Sequence, residues 1–280
     1  MDPEYPFQTR TMSLAAGDMH YVDEGHGEVL LFVHGTPTWS FEYRHLIKAL
    51  SGGYRCVAPD QLGFGRSSRP AGFPYTLEAH AAALEEFVTK LGLDRFTLVV
   101  HDFGGPIGLP LALTSGSRVT RVVILNSWAW PMNDDPMASG AKFIGGPAGR
   151  LLYKYANASL RLIMPSAYGD RKKLTPAIHA RYLEVFTDRN ARVLVLHALA
   201  RALLQSRAHY QSLLDRLSTL HALPVLIVWG LKDSAFKPHQ LARWRTLLPK
   251  AQVVTIDDAG HWPHEEAPSR VIDAIRRFLQ

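Results

Sequence analysis

The stretch Val99-Val100-His101-Asp102-Phe103-Gly104-Gly105 decides the fold. Phe96, Leu98, Val99 and Val100 carry the β-branched and bulky apolar character of a buried strand, and Gly104-Gly105-Pro106 opens a new segment. A sharp strand-to-helix turn of this kind lifts one side chain clear of the end of a sheet. Here that side chain is the carboxylate of Asp102, not a serine hydroxyl, and the difference sets the chemistry. A serine attacks carbonyl carbon and gives an acyl-enzyme. An aspartate can displace a leaving group from saturated carbon, leaving an alkyl ester that water then hydrolyses. The plainer alternative is an aspartate that caps the following helix.

Outward from this turn, apolar strands alternate with helical patterns, which predicts an α/β fold with a largely parallel sheet covered by helices. Leu30-Leu31-Phe32-Val33 reads as a strand ending at His34-Gly35-Thr36-Pro37, and Tyr54 to Ala58 as the next, ending at Asp60. Between them Trp39, Phe41, Leu46, Ile47 and Leu50 give a helical face. The loop Asp60-Gln61-Leu62-Gly63-Phe64-Gly65-Arg66-Ser67 lacks the spacing of a phosphate-binding glycine motif and reads as a structural turn. Thr76 is a candidate N-cap for a helix carrying Leu77, Leu84, Phe87, Val88 and Leu91, which Gly92 stops. Val119 to Leu125, Val225 to Trp229 and Val253 to Ile256 read as further strands, and Val271, Ile272, Ile275, Phe278 and Leu279 as a closing amphipathic helix. From about Pro131 to Leu220 only helical stretches occur. That block is expected to form a cap (131–220) over a core built from 1–130 and 221–280, above the strand ends where open α/β sheets bind ligands.

Composition agrees with a globular enzyme. The chain has 280 residues, 47% hydrophobic and 20% charged, enough to bury a large core without disulfide or metal. The lone Cys56 sits in an apolar stretch and reads as a core residue in a reducing compartment. Met1-Asp2-Pro3-Glu4-Tyr5-Pro6 has neither a basic nor an apolar leader region, so a cytoplasmic protein without an export signal is expected. No apolar run is long enough to span a membrane. The formal charge of +6 is scattered among acids apart from Arg171-Lys172-Lys173. It reads as a solvated surface, so neither nucleic acid nor membrane is an expected partner. A monomer or homodimer is expected.

The later strand ends supply partners for Asp102. Trp229-Gly230-Leu231-Lys232-Asp233 sets an acid just past one strand, and Asp258-Ala259-Gly260-His261-Trp262-Pro263-His264 sets a histidine after the next. Nucleophile, acid, histidine is the chain order of α/β-hydrolases. Asp134 and Asp135, after the strand leading into the helical block, compete with Asp233 for the acid. His264 competes with His261 for the base, but it lies past a proline at the start of the last helix and reads as structural. The two histidines do not form a zinc motif, since Pro263 interrupts them.

These residues resemble the haloalkane dehalogenase family over nearly the whole chain, least in the cap. The resemblance rests on His34-Gly35-Thr36-Pro37-Thr38-Trp39-Ser40, His101-Asp102-Phe103-Gly104-Gly105, Asn126-Ser127-Trp128-Ala129-Trp130-Pro131, Gly230-Leu231-Lys232-Asp233-Ser234-Ala235-Phe236 and Gly260-His261. It implies an eight-stranded, mostly parallel sheet with an inserted helical cap. Asp102 would be the nucleophile, His261 the base that activates water and Asp233 its orienting acid. The N–H groups of Thr36 and Phe103 would form the oxyanion hole. A small or medium hydrophobic substrate and no cofactor or metal are expected. Two positions depart from the family. A tryptophan after the nucleophile and an asparagine in the first loop usually grip the leaving halide; Phe103 and Thr36 stand there instead. Phenylalanine has no N–H and threonine offers one hydroxyl. Trp128, Trp39 and Trp130 are the candidate replacement donors. Two other readings use the same fold and stay open: an epoxide hydrolase, with protons from cap tyrosines among Tyr153, Tyr155, Tyr168, Tyr182 and Tyr210, and a lactone- or ester-directed enzyme. A catalytically silent ligand-binding relative is the alternative of a different class.

Overall fold

Strands β1 (Arg10–Leu14), β2 (Gly17–Glu24), β3 (Val29–Val33), β4 (Arg55–Pro59), β5 (Phe96–Asp102), β6 (Val119–Ser127), β7 (Val225–Gly230) and β8 (Gln252–Ile256) form one sheet. Their order is β1-β2-β4-β3-β5-β6-β7-β8. This computed structural model describes residues 2–114, 116 and 118–280; Met1, which begins the leader reading, lies outside them. β1 pairs antiparallel with β2 and β2 with β4, while every pairing from β4 to β8 is parallel. The antiparallel hairpin is the part the apolar pattern does not reveal, because β1 is largely exposed and carries few apolar side chains. The central strands β5 and β7 are buried at every residue, as a parallel sheet covered on both faces requires.

Helix α1 (Arg44–Leu50) follows a 3₁₀ turn at Ser40–Tyr43. Helix α2 (Leu77–Lys90) begins where the Thr76 side chain accepts the N–H of Ala79, the cap expected from the sequence. Gly92 then takes φ +68°, which terminates the helix. The Asp60–Ser67 loop is a structural turn. Asp60 is buried and accepts the N–H groups of Ser40 and Arg66 while pairing with His20 Nδ1 at 2.8 Å. Cys56 is buried in β4, and burial pushes its thiol up to about 12, so it stays protonated.

Between β6 and β7 the described chain is helical wherever it is regular, from Ala138 to Ala222. Three of its segments, Leu152–Ala156, Ser159–Ile163 and Arg192–His197, wind as π-helix. Among the described residues, no helix is long and apolar enough to cross a membrane.

Candidate active site

At the end of β5 the backbone of Asp102 adopts φ +50°, a conformation that costs a non-glycine residue energy and is held only where the surroundings over-determine it. Helix α3 (Gly104–Gly108) leaves immediately afterwards. The glycines permit the close approach. A Cβ on Gly104 would lie 2.0 Å from the Val33 carbonyl oxygen, and one on Gly105 would lie 1.9 Å from Ser127 Oγ. A Cβ on Gly35 would meet the Asp102 carboxylate itself at 2.4 Å. The carboxylate is thus pressed against the loop after β3, where the Thr36 N–H donates to Asp102 Oδ1 at 2.9 Å. That loop is pinned from behind: the Gln61 N–H donates to His34 Nε2 at 3.0 Å, and His34 Nδ1 bonds the Gly35 carbonyl at 2.7 Å. This fixes the His34 tautomer with its proton on Nδ1.

His261 reaches the same carboxylate from the loop after β8. Its Nε2 lies 3.4 Å from Asp102 Oδ2, and its Nδ1 lies 2.7 Å from Asp233 Oδ2. All three side chains are buried. Asp233 accepts two further hydrogen bonds, from Asn126 Nδ2 at 2.8 Å and from the Ala235 N–H at 2.7 Å. Burial alone would lower the His261 pKa, but the Asp233 charge and the hydrogen bonds to both carboxylates outweigh it and raise it to about 10. Of the two competing acids, Asp134 is exposed and Asp135 spends its Oδ2 on His239 and Gln240 instead. His264 is fully buried and makes no contact with Asp102.

A cavity of about 460 Å³ opens above this group. Thr36, Asp102, Phe103 and His261 form its floor, and Met137, Ala141, Ile144, Ile163, Ala200 and Leu203 form an apolar wall from the helical block. Of the five tyrosines singled out from the sequence, only Tyr153 lines it. Tyr155 is exposed, Tyr182 donates to Glu265 at 2.5 Å, Tyr168 stacks on Trp262, and Tyr210 packs on Trp128.

The comparisons converge on one family. The sequence model of the alpha/beta hydrolase fold matches residues 28–268. Haloalkane dehalogenase 2 of Mycobacterium tuberculosis is 38% identical over 98% of this chain and 96% of its own length. The chain belongs to the α/β-hydrolase fold family, and it is a haloalkane dehalogenase-like hydrolase. A cis-3-alkyl-4-alkyloxetan-2-one decarboxylase of Shewanella oneidensis is 34% identical over 100% of this chain and 90% of its own length. Among solved structures, a haloalkane dehalogenase loop variant from Bradyrhizobium elkanii superposes with a TM-score of 0.88 at 21% identity, covering 98% of this chain and 96% of the other.

The hydrolase departs from its sequence reading at the leaving-group contacts. Trp39 does not line the cavity; it packs among Tyr5, Phe41 and Arg66 because the turn at Ser40 directs it into that aromatic cluster. Trp130 packs against Trp244. Trp128 stands one layer behind the wall, edge to face with Phe103 at 4.9 Å, and its buried Nε1 has no hydrogen-bond partner. Thr36 does line the cavity, and its hydroxyl is also buried without a partner.

Two residues of the site escape a sequence reading. Asn126 ends the apolar run of β6 at φ +29°; it holds Asp233 through Nδ2 and accepts the Gly230 N–H through Oδ1 at 2.9 Å. An amide ending an otherwise apolar buried strand is the signal that could have marked it. Glu266 accepts the N–H groups of Gly260, Gly169 and Asp170, and so ties the histidine loop to the helical block. No local motif marks it, since its partners come from two distant segments.

Proposed function

We propose that Asp102 attacks a saturated carbon of a small or medium hydrophobic substrate, and that His261 then activates water to hydrolyse the resulting ester. In the first step an Asp102 oxygen forms the new C–O bond, and the bond to the leaving group breaks with its electron pair. In the second, His261 Nε2 takes a proton from water while the water oxygen adds to the ester carbonyl. The N–H of Thr36 receives the oxyanion, with the Phe103 N–H as its expected second donor. Collapse releases the alcohol and restores the Asp102 carboxylate. Asp233 orients the imidazole and balances its charge.

The observation that carries this reading is a carboxylate at a strained strand-to-helix turn, 3.4 Å from a histidine nitrogen and on the floor of an apolar cavity. The raised His261 pKa belongs to the free enzyme, where two carboxylates face the ring. Esterification of Asp102 removes one of those anions, so the pKa falls and the ring gives up the proton that would prevent it from acting as base. The intermediate thereby creates its own catalyst. The helical block from 131 to 220 serves as the cap that excludes water from the first step.

For the leaving group we favour halide, with the unpartnered Thr36 hydroxyl and Trp128 Nε1 as its candidate donors. The relatives named haloalkane dehalogenase support this choice. A second reading is a strained four-membered lactone. The absence of side-chain N–H donors at 36 and 103 favours it, as do relatives named oxetanone decarboxylases that match the full chain. There the leaving group is the ring's own carboxylate, which needs no halide grip. In place of hydrolysis, the bond to that carboxylate then breaks to give carbon dioxide, its electrons form the alkene, and the C–O bond to Asp102 breaks with its pair to restore the free carboxylate. An epoxide would need a proton donor at its oxygen, and Tyr153 alone of the candidate tyrosines lines the cavity. Bromide release from bromoalkanes, carbon dioxide release from a cis-3,4-dialkyl-oxetan-2-one and diol formation from styrene oxide, measured side by side, separate the three. Mass spectrometry of His261→Phe after substrate addition should show an adduct on the Asp102 peptide. Consumption of a bromoalkane by that variant with no adduct would sink the covalent mechanism.

A further inference from the structure

Behind His261 lies a second group of ionisable side chains that the reaction above does not use. Glu42, His101 and His264 are each fully buried. His101 immediately precedes Asp102, and its Nε2 lies 2.9 Å from the main-chain oxygen of His261. A carbonyl only accepts, so Nε2 carries a proton. His101 Nδ1 lies 3.2 Å from both carboxylate oxygens of Glu42. A neutral imidazole has one N–H, already committed to the carbonyl; the contact with Glu42 therefore requires one further proton, held between ring and carboxylate. Burial by itself would raise the Glu42 pKa, but the charge and hydrogen bond of His101 outweigh it and hold the carboxyl well below its usual range.

His264 closes the cluster. Its Nε2 is 3.9 Å from Glu42 Oε2, neither ring nitrogen has a hydrogen-bond partner, and its ring stacks on Tyr43 and meets His101 edge-on at 4.7 Å. Burial lowers its pKa, so it stands as a neutral ring shielding the pair. A buried ion pair adds little net stability over an apolar filling of the same volume, but it fixes direction, which an apolar filling cannot. Here the fixed direction is that of the His261 peptide. The core grips its carbonyl through His101, while its N–H donates to the Ala167 carbonyl of the helical block at 2.9 Å.

We propose that Glu42 and His101 form a buried carboxylate–imidazolium pair that positions the base of the hydrolysis half-reaction by donating to the main-chain carbonyl of His261. They are positioning residues, since neither lines the cavity. The inference rests on the reading of Asp102 as nucleophile and His261 as base. Displacement at saturated carbon needs no base, so the pair should govern the second step and leave the first intact. A competing arrangement uses the same atoms. The three groups offer ligand atoms within 4.8 Å of one another, and a divalent cation there would take the Nδ1 lone pair in place of a proton.

Two measurements decide. In nitrogen NMR of histidine-labelled protein at neutral pH, with the signals assigned by their loss in His101→Phe, His101 should show two protonated nitrogens. A lone-pair nitrogen at His101, or a stoichiometric metal in the purified protein, would overturn the pair. In single-turnover kinetics with a bromoalkane that the wild type consumes, Glu42→Leu and His101→Phe should form the Asp102 adduct within about 3-fold of the wild-type rate and hydrolyse it roughly 10–100-fold more slowly. Glu42→Gln should recover most of that loss, because its amide can donate to a neutral His101 and leave Nε2–H on the carbonyl. This variant also carries the test if His101→Phe does not fold. Equal loss in both steps, or unchanged hydrolysis in folded Glu42→Leu, would overturn the inference while the covalent reading stands. Absence of any adduct even in His261→Phe would instead remove the reading on which it rests.

Discussion

The sheet and the helical block treat polar and apolar groups in opposite ways. At the strand ends, Asp102, Asp233 and His261 are buried and joined by directed contacts at 2.7–3.4 Å. In the block, the five large apolar side chains that are exposed among the described residues are all found: Phe143, Leu151, Tyr155, Leu162 and Leu194. Residues 131–220 also hold 13 Lys and Arg against 6 Asp and Glu, whereas the rest of the chain holds 18 against 19. The excess positive charge therefore falls on the helical block, where its field attracts anions. The reaction type is set where geometry is fixed, and the choice of substrate where it is loose.

The hardest test of that division is to remove the proposed nucleophile. Asp102→Ala should lower turnover by at least about 10⁴-fold with an unchanged circular dichroism spectrum, because Asp135, the other carboxylate lining the cavity, is held by His239 and Gln240 and does not replace it. Residual activity above that level would move the chemistry away from the sheet.

The proposed orienting acid comes next. Asp233→Asn should cost roughly 10³–10⁴-fold in hydrolysis of the ester, while Asp135→Asn, whose carboxylate serves His239, should cost little. A large loss only in Asp135→Asn would reverse the assignment. The same pairing has a pH signature. His261 is raised to about 10 in the folded protein, above its unfolded value of about 6.5. Its pairing thus stabilises the fold fully below the lower value and progressively less as pH rises through the upper one. Melting temperature from pH 7 to 10 should therefore fall more steeply in wild type than in His261→Phe. Parallel curves would show that the imidazolium is not held.

How far the chain announces itself follows the same boundary. Strands β3 to β7 are legible because buried parallel strands carry continuous apolar runs, the edge strand β8 because Val253, Val254 and Ile256 keep apolar character, and the elbow because Asp102 interrupts such a run shortly before two glycines. Asp233 and His261 are legible only in combination, as residues just past successive strands. The antiparallel strands β1 and β2 are not, because β1 is largely exposed. The helical block resists for a different reason. Its π-helical turns at Leu152–Ala156, Ser159–Ile163 and Arg192–His197 break the 3.6-residue period on which a helix face is read. That is why five tyrosines could not be ranked, and why Tyr153 emerges only from the fold. Trp39 misleads in another way: its neighbours at the site are near in sequence, but the turn at Ser40 sends its ring elsewhere.

The leaving-group pocket lies on the boundary itself. Phe103→Trp with Thr36→Asn should raise bromide release more than the two single changes multiplied, since both would hold one ion. Each restored donor is worth up to about 2.7–4 kcal/mol of barrier at full geometry; a gain of roughly 10–100-fold for the pair allows for imperfect fit. Fast bromide release by the wild type would make these positions unimportant and direct attention to Trp128. Carbon dioxide release from an oxetanone that falls in the double variant as bromide release rises would favour the lactone reading.

The smallest effects belong to the apolar wall. Ile144 and Leu203 line the cavity from the helical block and touch none of the reacting groups. Truncation to alanine removes methyl and methylene contacts, each worth about 1–3 kcal/mol of discrimination in a shaped pocket. A pocket that can relax recovers much of that. Ile144→Ala and Leu203→Ala should therefore raise KM for a short substrate by roughly 3–10-fold, and less for a longer one that fills the new space. The rate of ester hydrolysis measured by single turnover should stay within about 3-fold, because the Asp102–His261–Asp233 contacts are made entirely by loops of the sheet. If either variant instead slows hydrolysis more than it weakens binding, the wall would be holding the base. The hydrogen bond from His261 N–H to Ala167 would then be the first contact to re-examine, because it is where the helical block touches that residue's backbone.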